Sequence, residues 1–208
     1  MFAMTRYSQL SALRLLAVLA LLAPALWSCN TESAQTKFLR EQMERFKSID
    51  EDTIQHYLTR NKITNYQRLE SGLYLVPLVE NSQGAALTTG RRVSVKYVGR
   101  FLSNGGNNIS NLPQFRAGAV FENTSENRTD CGCAVFLMGG GFLSGASFPT
   151  TPGFSEGMQH MRVGERKLFI IPSRLAFGPN GQYNSSGIPL IYSNSVLLYD
   201  VEVLALLN

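Results

Sequence analysis

The most reactive side chains of this 208-residue chain are its three cysteines, two of which lie in the segment Cys131-Gly132-Cys133. Two cysteines this close together can form a disulfide in an oxidising compartment, and such a bond tends to be labile or redox-active. The alternative is that they are two loop cysteines, paired or not, without a chemical role. The only histidines, His56 and His160, fall on different predicted elements, so we expect neither a metal site nor a cofactor.

Motifs of the common hydrolases and nucleotide-binding proteins are absent from the sequence. There is no G-x-S-x-G nucleophile motif and no glycine loop of the nucleotide-binding type. The formal net charge is only +4, and it includes Arg6 and Arg14 near the N-terminus. No run of lysine and arginine provides a basic surface, so we expect no nucleic-acid partner.

The N-terminal segment is typical of a signal peptide. Two arginines without any acid precede an unbroken apolar run at residues 15–26, which is too short to span a bilayer. The run ends in Leu26-Trp27-Ser28-Cys29, which resembles a bacterial lipobox. That resemblance implies that Cys29 carries lipid chains such as palmitate and becomes the mature N-terminus. Plain secretion with a free Cys29 is the alternative.

These features predict a lipoprotein anchored to a bacterial membrane. We expect a signal peptide at residues 1–28, followed by the lipidated Cys29 and a polar tether within residues 29–36. The lipid bilayer would then be a partner of the protein through its acylated cysteine. The expected location is the bacterial cell envelope, on the periplasmic or cell-surface side of a membrane.

Residues 37–65 predict a helical N-terminal segment made of two helices. Apolar residues recur at close to helical spacing over residues 37–47, and the sequence from Ser48 to Glu51 is typical of a capping box that begins a second helix. Ile54, Tyr57 and Leu58 form an apolar stripe on that second helix. Such a stripe packs on a domain or on a second copy of the chain.

The pattern of residues 66–208 predicts an α+β domain with an antiparallel sheet. Six runs have strand-like apolar patterns, at residues 73–79, 93–101, 120–122, 134–138, 167–171 and 196–206. Phe154, Met158 and Met161 indicate one short helix, closed by Gly164. Residues 103–118 and 139–153 are rich in glycine, asparagine and serine and predict two long loops.

Five segments of this domain, in this order, resemble motifs of the FKBP family of peptidyl-prolyl isomerases. They are residues 95–99 (VKYVG), 120–124 (VFENT), 152–165 (PGFSEGMQHMRVGE), 171–178 (IPSRLAFG) and the closing pair of 188–189 (IP) with 197–204 (LLYDVEVL). The resemblance implies a strongly bent antiparallel β half-barrel wrapped on one short helix. It also implies a prolyl pocket between the sheet and the helix.

The same resemblance implies an enzyme that rotates X-Pro bonds of proline-containing polypeptides. Together with the lipobox, it predicts a membrane-anchored isomerase that assists the folding of exported proteins. The implied catalytic residues are Tyr97, Phe121, Glu122, Phe154, Phe177, Ile188 and Tyr199. Rotation must overcome a barrier of roughly 18–20 kcal/mol, because the partial double bond of the amide is lost. A dry aromatic pocket removes the water that stabilises the planar amide, and it fits the twisted amide better.

Three residues depart from the family pattern. Phe154 stands where the family has Trp, Phe177 where it has a Tyr that can hydrogen-bond a bound carbonyl, and Glu122 where it has Asp. The missing hydroxyl favours the alternative function, a non-catalytic peptide-binding or chaperone module on the same fold. Both long loops border the implied pocket and are candidates for a lid or an additional substrate surface. A homodimer through the N-terminal helices is compatible with either function.

Overall fold

The computed structural model describes residues 32–106, 112–127 and 129–207. Two α-helices are described, α1 (Ala34–Arg60) and α2 (Pro152–Gln159). The strands are β1 (Gln67–Arg68), β2 (Tyr74–Val79), β3 (Arg92–Phe101), β4 (Val120–Asn123), β5 (Ala134–Leu137), β6 (Gly141–Ser144), β7 (Arg166–Ile171), β8 (Gln182–Tyr183), β9 (Pro189–Ile191) and β10 (Leu197–Leu207). The predicted signal peptide and Cys29 lie outside the described residues.

One antiparallel sheet forms the body of the domain, in the strand order β1-β2-β7-β10-β3-β5-β6, with β4 paired to β3. The long strand β10 lies between β3 and β7 and is paired to both. Strands β8 and β9 form a separate two-stranded sheet. The sheet is open and packs on α2, which confirms the predicted α+β class with an antiparallel sheet and one short helix.

Both faces of the sheet are buried, which explains why several strands have nearly continuous apolar sequences. On β10, Leu197, Tyr199 and Val201 belong to the core that contains α2. The intervening Leu198 belongs to a second core, on the face that α1 covers. Because side chains alternate along a strand, a sheet covered on both faces needs apolar residues at consecutive positions.

The short helix α2 ends at Gln159, so Met161 lies outside it and the prediction that Gly164 closes it is wrong. The beginning of the helix is capped locally. The hydroxyl of Thr151 accepts a hydrogen bond from the backbone N–H of Phe154 at 3.3 Å, and Pro152 occupies the first turn. Gly157 lets the helix approach β7 closely, because a Cβ atom there would lie 2.6 Å from the ring of Phe169. Phe154 therefore sits deep between the helix and the sheet, with 1% of its surface exposed.

The N-terminal helical segment is one helix, so the prediction of two helices is wrong. Ser48 to Glu51 do not form a capping box, because α1 runs through them without interruption. Asp50 is buried, and its Oδ2 accepts hydrogen bonds from the N–H and the hydroxyl of Ser173, both at 2.7 Å. The helix also begins at Ala34, so the last residues of the predicted tether are helical.

The stripe predicted on the second half of α1 packs on the sheet of the same chain. Ile54 and Leu58 are 0% and 2% exposed and pack with Tyr74, Val76 and other residues of the outer face. The predicted domain boundary at residue 66 thus falls inside a compact unit that begins at Leu39. Neither of the two helices described is long and apolar enough to cross a membrane.

The second predicted loop is wrong in part, because residues 141–144 form β6. Phe142 on this strand pairs with Phe136 of β5 and packs against the ring of Phe154 at 5.0 Å. Three consecutive glycines, Gly139 to Gly141, precede it. They hide the strand in the sequence, because glycine is a poor strand former.

Candidate functional site

Four of the predicted site residues form one aromatic cluster between the sheet and α2. The ring of Phe154 lies 5.5 Å from Tyr97 and 5.2 Å from Tyr199, and Phe121 lies 5.5 Å from Tyr199 on the side of the cluster nearer the surface. These contacts are tilted or edge-to-face, the arrangements that aromatic rings prefer. The structure thus brings Tyr97, Phe121, Phe154 and Tyr199 together.

Phe121 is held at this place by the pairing of β3 with β4. Gly99 of β3 lies opposite Glu122, and the register shifts between Gly99 and Arg100. A Cβ atom on Gly99 would lie 2.6 Å from the Phe121 ring, so the glycine leaves the space that the ring fills. The glycine of the VKYVG segment is therefore a steric requirement of the site.

The cluster divides into a buried floor and an accessible rim. Tyr97 and Phe154 are 1% exposed and Tyr199 is 3% exposed, so these three rings form the floor. Phe121 and Phe177 are half-buried at the rim. Ile188 is 58% exposed and lines the groove beside the rim, so it is a surface neighbour of the site.

Phe148 belongs to this rim and was not among the sequence-predicted site residues. Its half-buried ring packs edge-on against Phe121 at 5.6 Å and against Phe177 at 6.3 Å. It lies in the loop between β6 and α2, where its neighbours are glycine, serine and proline. A single aromatic residue in such a polar stretch was the only signal in the sequence that pointed to it.

An apolar groove of about 540 Å³ opens beside the rim. Its wall comes from both predicted long loops and from the 188–192 segment: Leu112, Gln114, Phe115, Phe148, Ile188, Pro189, Leu190 and Tyr192 join Phe101, Val120 and Phe121. Phe115 and Tyr192 stack edge-to-face at 4.6 Å within it. A concave, mostly apolar surface with a few polar groups is the usual form of a ligand site.

Glu122 lies next to the rim and is 7% exposed. Its Oε1 accepts a hydrogen bond from the backbone N–H of Ser147 at 2.5 Å, one residue before Phe148. Burial raises the pKa of this carboxyl above its usual value, although hydrogen bonds, first of all that of Ser147, act in the opposite direction. The carboxyl therefore anchors the loop that carries Phe148.

The hydroxyl of Tyr97 is buried and makes no hydrogen bond of normal geometry with any described residue. Burial, and then the charge of the neighbouring Glu122, raise the pKa of Tyr97 above its usual value, so the hydroxyl keeps its proton. Burial and Glu122 also raise the pKa of Tyr199. The protonated hydroxyl of Tyr97 therefore lies close to the carboxyl of Glu122.

The site is formed mainly by aromatic rings, with one buried carboxyl, that of Glu122, beside them. Within residues 32–106, 112–127 and 129–207, no group of three His, Cys, Asp or Glu side chains could hold a metal ion. The structure places the seven predicted site residues in four positions. Four are the clustered rings, Glu122 is the buried carboxyl beside them, Phe177 contacts Phe148 at the rim, and Ile188 lines the groove.

Residues 84–204 match the family model of the FKBP-type peptidyl-prolyl cis-trans isomerases. This match covers more than half of the chain and includes every rim and floor residue named above. The chain belongs to the FKBP-type peptidyl-prolyl cis-trans isomerase family. The resemblance drawn from the sequence motifs is therefore confirmed.

Individual relatives agree with this assignment. A segment of 64 residues is 44% identical to the FKBP-type peptidyl-prolyl cis-trans isomerase FkpA of Aeromonas hydrophila, and this match spans 29% of the chain and only 22% of that protein. Among solved structures, a peptidyl-prolyl cis-trans isomerase of Pseudomonas syringae is 17% identical, with a TM-score of 0.53 over 86% of this chain and all of its own. FkpA of Escherichia coli is 20% identical, with a TM-score of 0.53 over 91% of this chain and 80% of its own. At these identities the structural matches show the fold.

Proposed function

We propose that this FKBP-family chain accelerates cis-trans rotation of X-Pro bonds in exported polypeptides, from a lipid anchor at Cys29. The observation that carries the isomerase proposal is the aromatic rim of Phe121, Phe148 and Phe177 above the buried rings of Phe154 and Tyr199. These rings come from family segments that are distant in sequence, with Phe148 added from the loop. They meet beside an open apolar groove.

Catalysis in such a site is differential desolvation. In water, hydrogen bonds to the prolyl amide stabilise its planar, charge-separated form, and these bonds weaken as the bond twists. When the proline ring lies against Phe121 and Phe177, the planar ground state loses this solvation and the twisted transition state loses less. The barrier falls without a nucleophile, and the surrounding apolar groove holds residues next to the proline.

Polar groups at the site orient the peptide. The hydroxyl of Tyr97 is a buried, protonated donor beside the carboxyl of Glu122. Glu122 keeps the loop of Ser147 and Phe148 in place through its bond to the Ser147 N–H. The proposal assigns them positioning roles, because desolvation requires no proton transfer.

A specific observation also favours the second candidate, a peptide-binding module without catalysis. Phe154 is 1% exposed, so the floor ring is covered. Phe148 packs against both Phe121 and Phe177 and occupies part of the space above the floor. A peptide could then bind in the groove without inserting its proline deeply.

A protease-free isomerisation assay separates the two candidates. The isomerase proposal predicts measurable acceleration by wild type and a loss of at least about tenfold in kcat/KM for a folded Phe121→Ala variant, since about 1.4 kcal/mol corresponds to a factor of ten. Phe177→Tyr, which restores a hydroxyl donor, should match or exceed wild type. No acceleration by wild type combined with turnover by Phe177→Tyr would establish the binding module instead.

The proposed location is the bacterial cell envelope, on the basis of the signal-peptide pattern and lipobox at residues 1–29. A homodimer through α1 is a further part of the proposal. It would use the part of that helix before Asp50, where Met43 and Ile49 are 39% and 42% exposed and Phe46 is half-buried. The second half is engaged with the sheet through Ile54 and Leu58.

A further inference from the structure

Cys131 and Cys133 are joined by a disulfide at the start of β5, away from the prolyl rim but on a neighbouring loop. The two cysteines differ in accessibility. Cys131 is exposed, whereas Cys133 is only 6% exposed. A thiolate from another molecule can therefore reach the sulfur of Cys131, and Cys133 is the sulfur that must leave.

The leaving sulfur has a hydrogen-bond donor in place. The hydroxyl of Ser94 on β3 is buried and donates to Sγ of Cys133 at 3.2 Å. Exchange requires a thiolate to form on the leaving sulfur, and burial alone would disfavour that charge. A hydroxyl already directed at Sγ stabilises the thiolate as it forms.

Hydrogen bonds of Asn127 join the loop that contains the disulfide to the segment that carries Phe148. The side-chain amide of Asn127 donates to the carbonyls of Cys133 and Gly145, at 2.8 and 2.6 Å. Gly145 and Ser147 line a small cavity together with Phe121 and Glu122. Asn127 lines the same cavity, so one side chain contacts both the disulfide loop and the surroundings of the rim.

The position of this disulfide in the sequence argues against a mainly structural role. A disulfide stabilises a fold largely by restricting the unfolded chain, and the effect grows with the number of residues in the closed loop. Cys131 and Cys133 are separated by one residue. The bond therefore restricts the unfolded chain very little. Its redox chemistry is the main property that would be lost if both cysteines were replaced by serines.

We propose that Cys131 and Cys133 form a thiol-disulfide exchange site that oxidises cysteine pairs in bound polypeptides. A thiolate of the polypeptide attacks Sγ of Cys131, the Cys131–Cys133 bond breaks, and Cys133 leaves as a thiolate stabilised by Ser94. A second thiolate of the polypeptide then attacks the mixed disulfide and releases Cys131. The polypeptide loses two electrons and two protons, and the cysteine pair of the enzyme gains them. A small-molecule disulfide restores the oxidised pair by the reverse exchange.

The test uses the full chain in a Cys29→Ser background, so that the pair supplies the only two cysteines. The probe is a reduced peptide with two cysteines and no proline, mixed with glutathione disulfide. We expect the protein to speed formation of the peptide disulfide by at least about tenfold over a Cys131→Ser/Cys133→Ser control. Equal rates for the two proteins would overturn the proposal, and isomerase activity does not affect this readout because the peptide lacks proline.

Single variants test the assigned order of attack. Cys133→Ser leaves the exposed Cys131 thiol, which should form a mixed disulfide with glutathione at least about ten times faster than the buried thiol of Cys131→Ser. Ser94→Ala should slow peptide oxidation by about threefold to tenfold, the factor expected for one hydrogen bond. Ser144→Ala, on the neighbouring strand β6, is the matched control and should leave the rate unchanged. Equal trapping at the two cysteines would overturn the assigned order, and an unchanged rate in Ser94→Ala would overturn the role of Ser94.

Discussion

Phe148 connects the two rim residues that the family motifs identify. Its ring contacts Phe121 and Phe177, and its chain neighbour Ser147 is fixed by Glu122. The same ring lines the apolar groove. A bound peptide that reaches the rim from the groove must therefore contact Phe148, so this side chain controls both the shape and the dryness of the site.

We predict that Phe148→Ala lowers kcat/KM for X-Pro peptides by about tenfold, because burial of an aromatic surface in the complex is lost and water enters the rim. Leu143→Ala is the matched control, since Leu143 lies on β6 with 53% of its surface exposed and does not line the groove. The measurement is the protease-free isomerisation assay. An increase in activity on removal of Phe148 would show instead that the ring obstructs the proline site.

At the scale of single residues, the sequence identified the site residues that lie in the family motifs but missed those in the two predicted long loops. Tyr97, Phe154 and Tyr199 were predictable because their segments have a fixed order and spacing. Phe148 and Phe115 were not, because they lie in loops whose conformation depends on distant contacts, such as the bond between Glu122 and Ser147. The sequence also did not indicate that Phe154 is fully buried, since burial depends on the packing of the rings around it.

Helix α1, from Leu39 to its end at Arg60, belongs to the same compact unit as the sheet. Its second half covers the outer face of the sheet, where Tyr74, Ile170 and Leu198 are buried beneath it. Arg68 and Gln55 both donate to the Tyr74 hydroxyl, at 3.0 and 2.8 Å, which adds polar contacts at the edge of this core. Removal of the helix would expose these apolar side chains to water.

We predict that Ile54→Ala lowers the free energy of unfolding by about 2–5 kcal/mol, the usual cost of a cavity at a fully buried site. Ile54 is 0% exposed. Ile49, on the same helix and 42% exposed, gives the matched control, and Ile49→Ala should change stability by no more than about 0.5 kcal/mol. Urea denaturation measures both. Equal effects of the two substitutions would mean that α1 does not complete this core.

Asp50 gives α1 a pH-dependent contact with the loop after β7. Burial raises the pKa of Asp50 above its ordinary value of 3.8, although the bonds from Ser173 and the charge of Arg174 act in the opposite direction. A carboxyl whose pKa is higher in the folded state favours folding most strongly when it is protonated. Its contribution to the free energy of unfolding is complete below the pKa that the carboxyl has in the unfolded chain. This contribution is lost as the pH rises through the pKa that it has in the folded protein.

We therefore predict that the unfolding free energy of wild type, relative to Asp50→Asn, decreases as pH rises from about 3.8 and then becomes constant. Asparagine can still accept the Ser173 bonds but cannot ionise. Urea denaturation from about pH 3.5 to about pH 7 provides the measurement. Asp52→Asn, exposed on the same helix, controls for the loss of one acidic charge. A difference that grows in favour of wild type with rising pH would contradict the prediction.

Six of the eight strands described in the main sheet were predictable, because they carry strong apolar patterns, and their ends lie within about one residue of the predicted limits. Strands β1 and β6 were not predicted. The division of α1 into two helices was wrong for a physical reason. Ser48 and Glu51 have the residue types of a capping box, but the carboxylate of Glu51 accepts hydrogen bonds from Arg68 and Tyr74, which are distant in sequence. Local signals cannot reveal that competition.

At the scale of the whole molecule, the proposed activities require access to unfolded polypeptides. The groove beside the rim is apolar and open, and the exposed Cys131 lies on a neighbouring loop. An exported chain commonly needs both proline isomerisation and disulfide formation before it reaches its native fold. The proposed anchor would hold the protein at the envelope, where it would meet such chains as they emerge.

We predict that Cys29→Ser releases the protein from the membrane into the soluble fraction. The basis is the coincidence of two arginines, the apolar run at residues 15–26 and the Leu26-Trp27-Ser28-Cys29 sequence within one segment. Removal of the acyl chains removes about 0.8 kcal/mol of membrane affinity for each buried CH₂ group, so no stable attachment should remain. Cys131→Ser is the matched control and should stay with the membrane. Fractionation and the intact mass of wild type provide the two measurements, and a membrane-bound Cys29→Ser protein, or a wild type without acyl chains, would refute the anchor.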